Sequence, residues 1–353
     1  MENGPSEPAA LDLLRLARGH LRSRTRTPAY FERGDRFAVL FLGKPLGVPV
    51  EYSKSLATDL AVVLDTLYED FLQRAPGRAP LLREATRHLQ GFVSASVAIS
   101  ALPHLRARLD ATSCPLLDVA SALLAALTAV GYESLTRRTS AEVADDWLEL
   151  WKAAVAAHNH QQELHSGLCL LQASSPADRQ DLSRALDIPE PSLRPGGGTF
   201  WAGARRYLEM FSESGAAAMV LVGALPFAQK PTPDGLRAMV AFLRATPELL
   251  AWIGGVLRLA QDVKFDPSEP VSTGVFALAA ERNASIVDVD ASRLAATDIE
   301  EKLKAVWDRY DEESRGRMDT LMAGLNGEDP IRPVISEIVE VTRMIARSLV
   351  GSG

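Results

Sequence analysis

Apolar side chains recur at three- and four-residue spacing along most of the chain, the period of helices that bury one face. The pattern predicts helices over 11–22, 56–73, 81–109, 115–130, 140–172, 199–223, 232–243, 247–265, 274–282, 297–326 and 331–349. Pro103 is expected to break the third of these, because a proline inside a helix removes a hydrogen bond and crowds the preceding turn. Pro115 sits where a helix can start, and TSAEVADDW at 139–147 carries a capping signal for one long helix. Only FAVLFLG (37–43) and SIVDVD (285–290) alternate in a β-like way, and each reads equally as a loop or a helix edge. The Pro, Asp, Ser and Gly residues of 174–198 predict the largest irregular break. No repeat and no βαβ alternation is visible. The expected fold is all-α: one domain over 1–353, with 1–50 as an irregular extension, and ten or more helices packed around a central apolar cavity.

Composition narrows the partners. The chain has 353 residues, 47% hydrophobic and 24% charged, with a net charge of −7. Basic residues are scattered as short pairs such as Arg137-Arg138, which argues against nucleic acid, since phosphate neutralisation needs a concentrated basic face. Arginine outnumbers lysine 31 to 7, as in proteins of GC-rich bacterial genomes. Cys114 and Cys169 stand far apart with no CxxC spacing, so the reading is a reduced, cytoplasmic protein without a zinc module. No uninterrupted apolar run approaches the roughly 20 residues of a membrane span, so no membrane is expected.

Candidate chemistry gathers in RLAQDVKFDPSEP, 258–270. Gln261, Phe265 and Glu269 are four apart and would share one face of a continuous helix. Oxygen ligands at that spacing hold a divalent cation from one side, but here a ring stands between an amide and a carboxylate. Upstream, YLEMFSESGA (207–216) precedes a proline-flanked loop and two apolar helices. In this order the segment resembles the C-terminal half of class I terpene synthases, over roughly a third of the chain.

That family carries a diphosphate-sensing arginine at a helix break, then a linker and a small effector residue, and later a metal helix of pattern NDxxSxxxE. Phe211, Ser214 and Gly215 match the first spacing, with phenylalanine in place of the arginine. Gln261, Asp262, Phe265 and Glu269 match the second, with glutamine for asparagine and phenylalanine for serine. A diphosphate leaves as an anion carrying about three charges and needs cations to do so. Phe211 removes a guanidinium, and Phe265 cannot coordinate magnesium. Pro267 and Pro270 would end the helix near Asp266 and take Glu269 off the shared face. The resemblance therefore implies an atypical cyclase, a lyase or isomerase without a favoured cofactor. It would cyclise or rearrange an isoprenoid or polyene in a pocket lined by Phe211, Phe265, Trp252 and Gln261. Asp262 or Glu269, protonated by burial, would act as acid, and Ser214 and Gly215 would present backbone to the substrate.

Two alternatives remain. A standard magnesium-dependent synthase would use Asp145, Asp146 and Glu149, the one DDxxE-like match, with Asp262 and Glu269; the same acids at a helix start also complement its dipole. A non-catalytic homologue would bind lipid or protein. A homodimer is left open. HNHQQELH places His158, His160, Glu163 and His165 on one helix, where a polar surface is the plainer reading than a metal site. Asp118 is a lone acid in an apolar helix. Arg309-Tyr310 matches a pair that caps diphosphate in the family, but within DRYDEESRGR it reads as surface.

Overall fold

The computed structural model describes residues 7–24, 34–64, 66–67, 79–111, 114–188, 193–196, 198–212, 216–267, 269, 271–325 and 329–351. The all-α expectation holds: 84% is helical and no strand occurs among the described residues. The β-like run FAVLFLG is instead a wide helical stretch, Val39–Gly43, continuous with a turn at Lys44–Leu46. SIVDVD contains one tight turn of helix, Ile286–Asp288.

The first helix, α1 (Glu7–Arg24), inserts Ala10, Leu13, Leu14, Ala17 and Leu21 into the core. Among the described residues before 50, Leu13, Leu21, Phe41 and Leu46 thus belong to the same hydrophobic cluster as later helices. After α2 (Val50–Lys54), which runs on as a wide helix over Ser55–Leu60, come α3 (Ala79–Gly91) and α4 (Ala95–Leu109). The break between α3 and α4 falls at 92–94, not at Pro103, which sits inside α4 on an exposed face. There, water can bond the carbonyl that the proline leaves unpaired.

The centre of the molecule is α5 (Leu116–Arg138), whose every residue from Asp118 to Gly131 is buried. It is surrounded by α1, α4, α6 and α9. By length and composition α5 also qualifies as a membrane span, contrary to expectation, but 78% of its most apolar window is buried within the protein. Where a hollow was expected, a helix stands. Small side chains let its neighbours close: a Cβ at Gly131 would stand 2.7 Å from the Trp147 ring, and one at Gly223 2.8 Å from Trp151. The two indoles are held by their N–H groups, Trp147 on the Val222 carbonyl and Trp151 on Thr128 Oγ1, each at 2.9 Å.

The long helix α6 (Ala141–Ala173) begins as expected, with Ser140 Oγ accepting from the Val143 amide. The predicted irregular break then contains α7 (Pro176–Leu186), capped by Ser175. Its composition is turn-like, yet Pro at the first position and Ser before it are also helix-start chemistry. The rest of the chain forms α8 (Phe200–Phe211), α9 (Ala217–Ala224), α10 (Pro233–Ala245), α11 (Pro247–Asp262), α12 (Thr273–Glu281), α13 (Ala296–Gly324) and α14 (Arg332–Gly351). Helices α10 and α11 meet at 79° across Thr246, before Pro247, where the chain cannot continue as helix. Helix α8 lies along α12 and also touches α11 and α13.

Candidate functional site

Arg258 and Asp262 are four residues apart on the last turns of α11 and form an ion pair, Nε to Oδ1, at 3.2 Å. The helix stops at Asp262, earlier than expected, and the chain turns back toward α12. Asp262 Oδ2 accepts from the amide of Thr273 at 3.1 Å and from its hydroxyl at 2.6 Å, capping α12 from a neighbouring helix. Glu269, on the connecting loop, accepts from Arg258 Nη2 at 2.9 Å. Loss of solvent raises the Glu269 pKa, and Arg258 opposes that shift. Burial also pushes Arg258 down, but Asp262, Tyr207 and Glu269 outweigh it and keep the guanidinium charged. The two carboxylates of the expected metal helix thus share one arginine.

Aromatic rings close over this cluster. The Arg258 guanidinium lies 5.5 Å from the centroid of Tyr207, whose hydroxyl is covered and meets no partner among the described residues. Phe211 packs on Tyr207 at 4.8 Å, His165 at 5.7 Å and Phe276 at 5.8 Å. His165 Nε2 donates to the Val271 carbonyl at 2.9 Å, which leaves Nδ1 facing Cys169 Sγ at 3.9 Å. Phe265 is buried against Gly274, where a Cβ would stand 2.8 Å from its ring. Phe211 and Phe265, expected to line a substrate pocket, are core side chains instead. The reason is the face of α8: Phe200, Ala204, Tyr207 and Phe211 are buried on one side, while Trp201, Arg205 and Ser212, with the buried Leu208 beneath them, lie on the other.

That outward face forms one wall of a cleft of about 970 Å³. Glu248, Ala251 and Trp252 of α11 make a second wall, and Tyr310, Arg317, Met318 and Leu321 of α13 a third. Trp252 is the one sequence-predicted pocket residue that lines it. Arg309 is exposed, as expected, with its guanidinium 4.3 Å from the Trp201 centroid, but Tyr310 is half-buried, and its hydroxyl reaches so close to Gly255 that a Cβ there would stand 2.6 Å away. A second hollow of about 550 Å³ lies between the end of α6 and the turns at 287–291, with Cys169, Gln172 and Arg179 in its wall.

The remaining predicted residues are dispersed. Gln261 is exposed, and Ser214 and Gly215 fall outside the described residues. Asp145 accepts from the Tyr132 hydroxyl at 2.8 Å, Asp146 pairs with Arg244, and Glu149 pairs with Lys152 at 2.7 Å. Asp118 pairs with Arg108 at 2.5 Å, and Glu163 with Arg83 at 3.3 Å. Among the described residues no group of three or more His, Cys, Asp or Glu side chains is placed to hold a metal ion. Asp145, Asp146 and Glu149 are held by Tyr132, Arg244 and Lys152, and Asp262 and Glu269 by Arg258, so these carboxylates do not form one magnesium site. Sequence reasoning missed Arg258, Trp201 and Arg317, and it named Tyr310 only as surface. For Arg258 the signal was its position four residues before Asp262.

No family model, no curated protein and no solved structure matches the chain.

Proposed function

We propose that the protein takes an apolar, unsaturated isoprenoid or polyene into the cleft between α8, α11 and α13. There it acts as an atypical terpene-cyclase-like enzyme that folds its substrate for cyclisation or rearrangement without magnesium-assisted loss of diphosphate. One observation carries this reading: three aromatic residues, Trp201, Trp252 and Tyr310, line a single cleft of about 970 Å³. Ring faces bind flat, unsaturated chains and stabilise developing positive charge. The volume lies within the range of small-molecule sites. Folding a flexible chain against rigid walls brings its reacting carbons together, which is the larger part of what such a closure needs. Asp262 and Glu269, committed to Arg258, support a role in holding α12 against α11 rather than in donating a proton at the cleft. The two free thiols fit a reducing cytoplasm.

The purified protein, incubated with C15 and C20 prenyl diphosphates and with polyenes that carry no diphosphate, is expected to convert one of the latter without magnesium and to lose that activity in Trp252→Ala. Magnesium-dependent hydrocarbon formation with release of diphosphate refutes the reading. A second reading, a binding protein without chemistry, is favoured by the pairing of Glu209 with Arg205 and of Glu313 with Arg309 at the cleft wall. It predicts saturable binding with the ligand recovered unchanged.

A further inference from the structure

The charges around the cleft do not cancel. Arg205 is paired with Glu209 at 3.4 Å and Arg309 with Glu313 at 2.9 Å. Arg317, in the α13 wall, forms no ion pair among the described residues. Behind the opposite wall, Arg343 of α14 holds its guanidinium 5.7 Å from the Trp252 centroid, with Nε and Nη2 covered and without partners among the described residues. Two arginines thus lack carboxylates, and Glu248 at the start of α11 is the remaining acid of the lining.

Unpaired donors point the same way. Trp252 is 5% exposed, yet its indole N–H meets no acceptor among the described residues. The Tyr310 hydroxyl lies within electrostatic reach of both Arg317 and Arg205, which pull its pKa down against the upward push of burial. The rest of the lining mixes apolar Leu208, Ala251, Met318 and Leu321 with the hydroxyl side chains of Ser212, Thr246, Ser314 and Thr320. The cleft therefore joins apolar surface to a place where Arg317, left over from the ion pairs, lies within electrostatic reach of the Tyr310 hydroxyl.

We infer that the ligand of this cleft is a long-chain amphipath with a single negative charge, a carboxylate whose oxygens are gripped by Arg317 with the Tyr310 hydroxyl, and whose unsaturated tail lies along Trp201 and Trp252. This rests on the cleft reading above and adds the head group to it. A diphosphate is a poor match, because three negative charges would face Glu209, Glu248 and Glu313 with only Arg205 and Arg317 in the lining to offset them.

The test uses the whole protein and its own tryptophan fluorescence. A C20 isoprenoid carboxylic acid is titrated beside the alcohol, the monophosphate and the diphosphate of the same chain. The acid is expected to bind at least tenfold more tightly than the alcohol and more tightly than either phosphate ester, since a hydrogen bond to a charged partner contributes about a factor of ten or more. Arg317 is exposed, so Arg317→Gln is expected to fold, as judged by an unchanged thermal midpoint, and to bind acid and alcohol alike. Equal binding of acid and alcohol by the wild type overturns the head-group inference and leaves the apolar cleft standing. Tightest binding of the diphosphate or the monophosphate also overturns it. If no chain binds at all, both this inference and the cleft reading fall.

Discussion

Two buried ionisable side chains make opposite demands on pH. Asp59, fully enclosed beside Arg18, has its pKa raised from 3.8 to about 6, chiefly by burial. Its charged form is the disfavoured one, so its contribution to stability is complete below about pH 4 and is lost as pH rises through 6. His165 has its pKa lowered from 6.5 to about 4 by loss of solvent and by the Arg258 charge. Its contribution is complete above about pH 6.5 and is lost as pH falls through 4. Each is worth on the order of 3 kcal/mol across its window, and the two oppose each other between about pH 4 and 6. Urea unfolding from pH 7 to 4.5 should therefore show Asp59→Asn losing more stability on acidification than wild type, and His165→Gln losing less. Three parallel curves would refute both assignments. At this scale the sequence named the acids Asp262 and Glu269 but not their shared cation. An arginine four residues from an aspartate is common on any helix, and only the return of the loop at Glu269 makes Arg258 the centre of a cluster.

Helix α8 owes its place to a residue without a side chain. A Cβ at Gly203 would run into the Phe276 carbonyl and stand 2.7 Å from the Cα of Ala277, backbone that cannot move independently. Gly203→Ala is expected to cost about 1–3 kcal/mol by forcing α8 and α12 apart. Gly19→Ala, at an exposed position of α1 with no atom within 4 Å of the new Cβ, should instead stabilise by up to about 1 kcal/mol, because it only improves helix propensity. Thermal unfolding of the two variants should move in opposite directions. Element boundaries were legible wherever a cap spoke clearly, as at Ser140. They failed where composition and capping conflicted: the helix at Pro176 was hidden in polar residues, and Pro103 was tolerated because its face is wet. The spacing predicted one helix over 199–223, and the break after Phe211 came only from the family resemblance; α8 ends at Phe211 and α9 begins at Ala217.

For the whole molecule the decisive feature is a central helix that is apolar on every side. Leu124, at its middle, is fully buried. Leu124→Ala should lower the stability measured in urea by about 2–5 kcal/mol, because close-packed neighbours cannot collapse into the space. A loss below about 1 kcal/mol would mean that α5 is not packed on all sides. By itself the sequence determined that this is one all-helical chain, because a 3.6-residue period and helix caps are local properties written in consecutive residues. It also named Trp252, which is among the residues that line the cleft. Which side of each helix faces a partner, and so whether Phe211 lines a hollow or fills a core, was decided only by tertiary structure. The same holds for the cleft, whose three walls are brought together from residues more than a hundred positions apart by the contact of α8, α11 and α13. A helix's apolar stripe says that something must cover it; only the packed neighbours say what does.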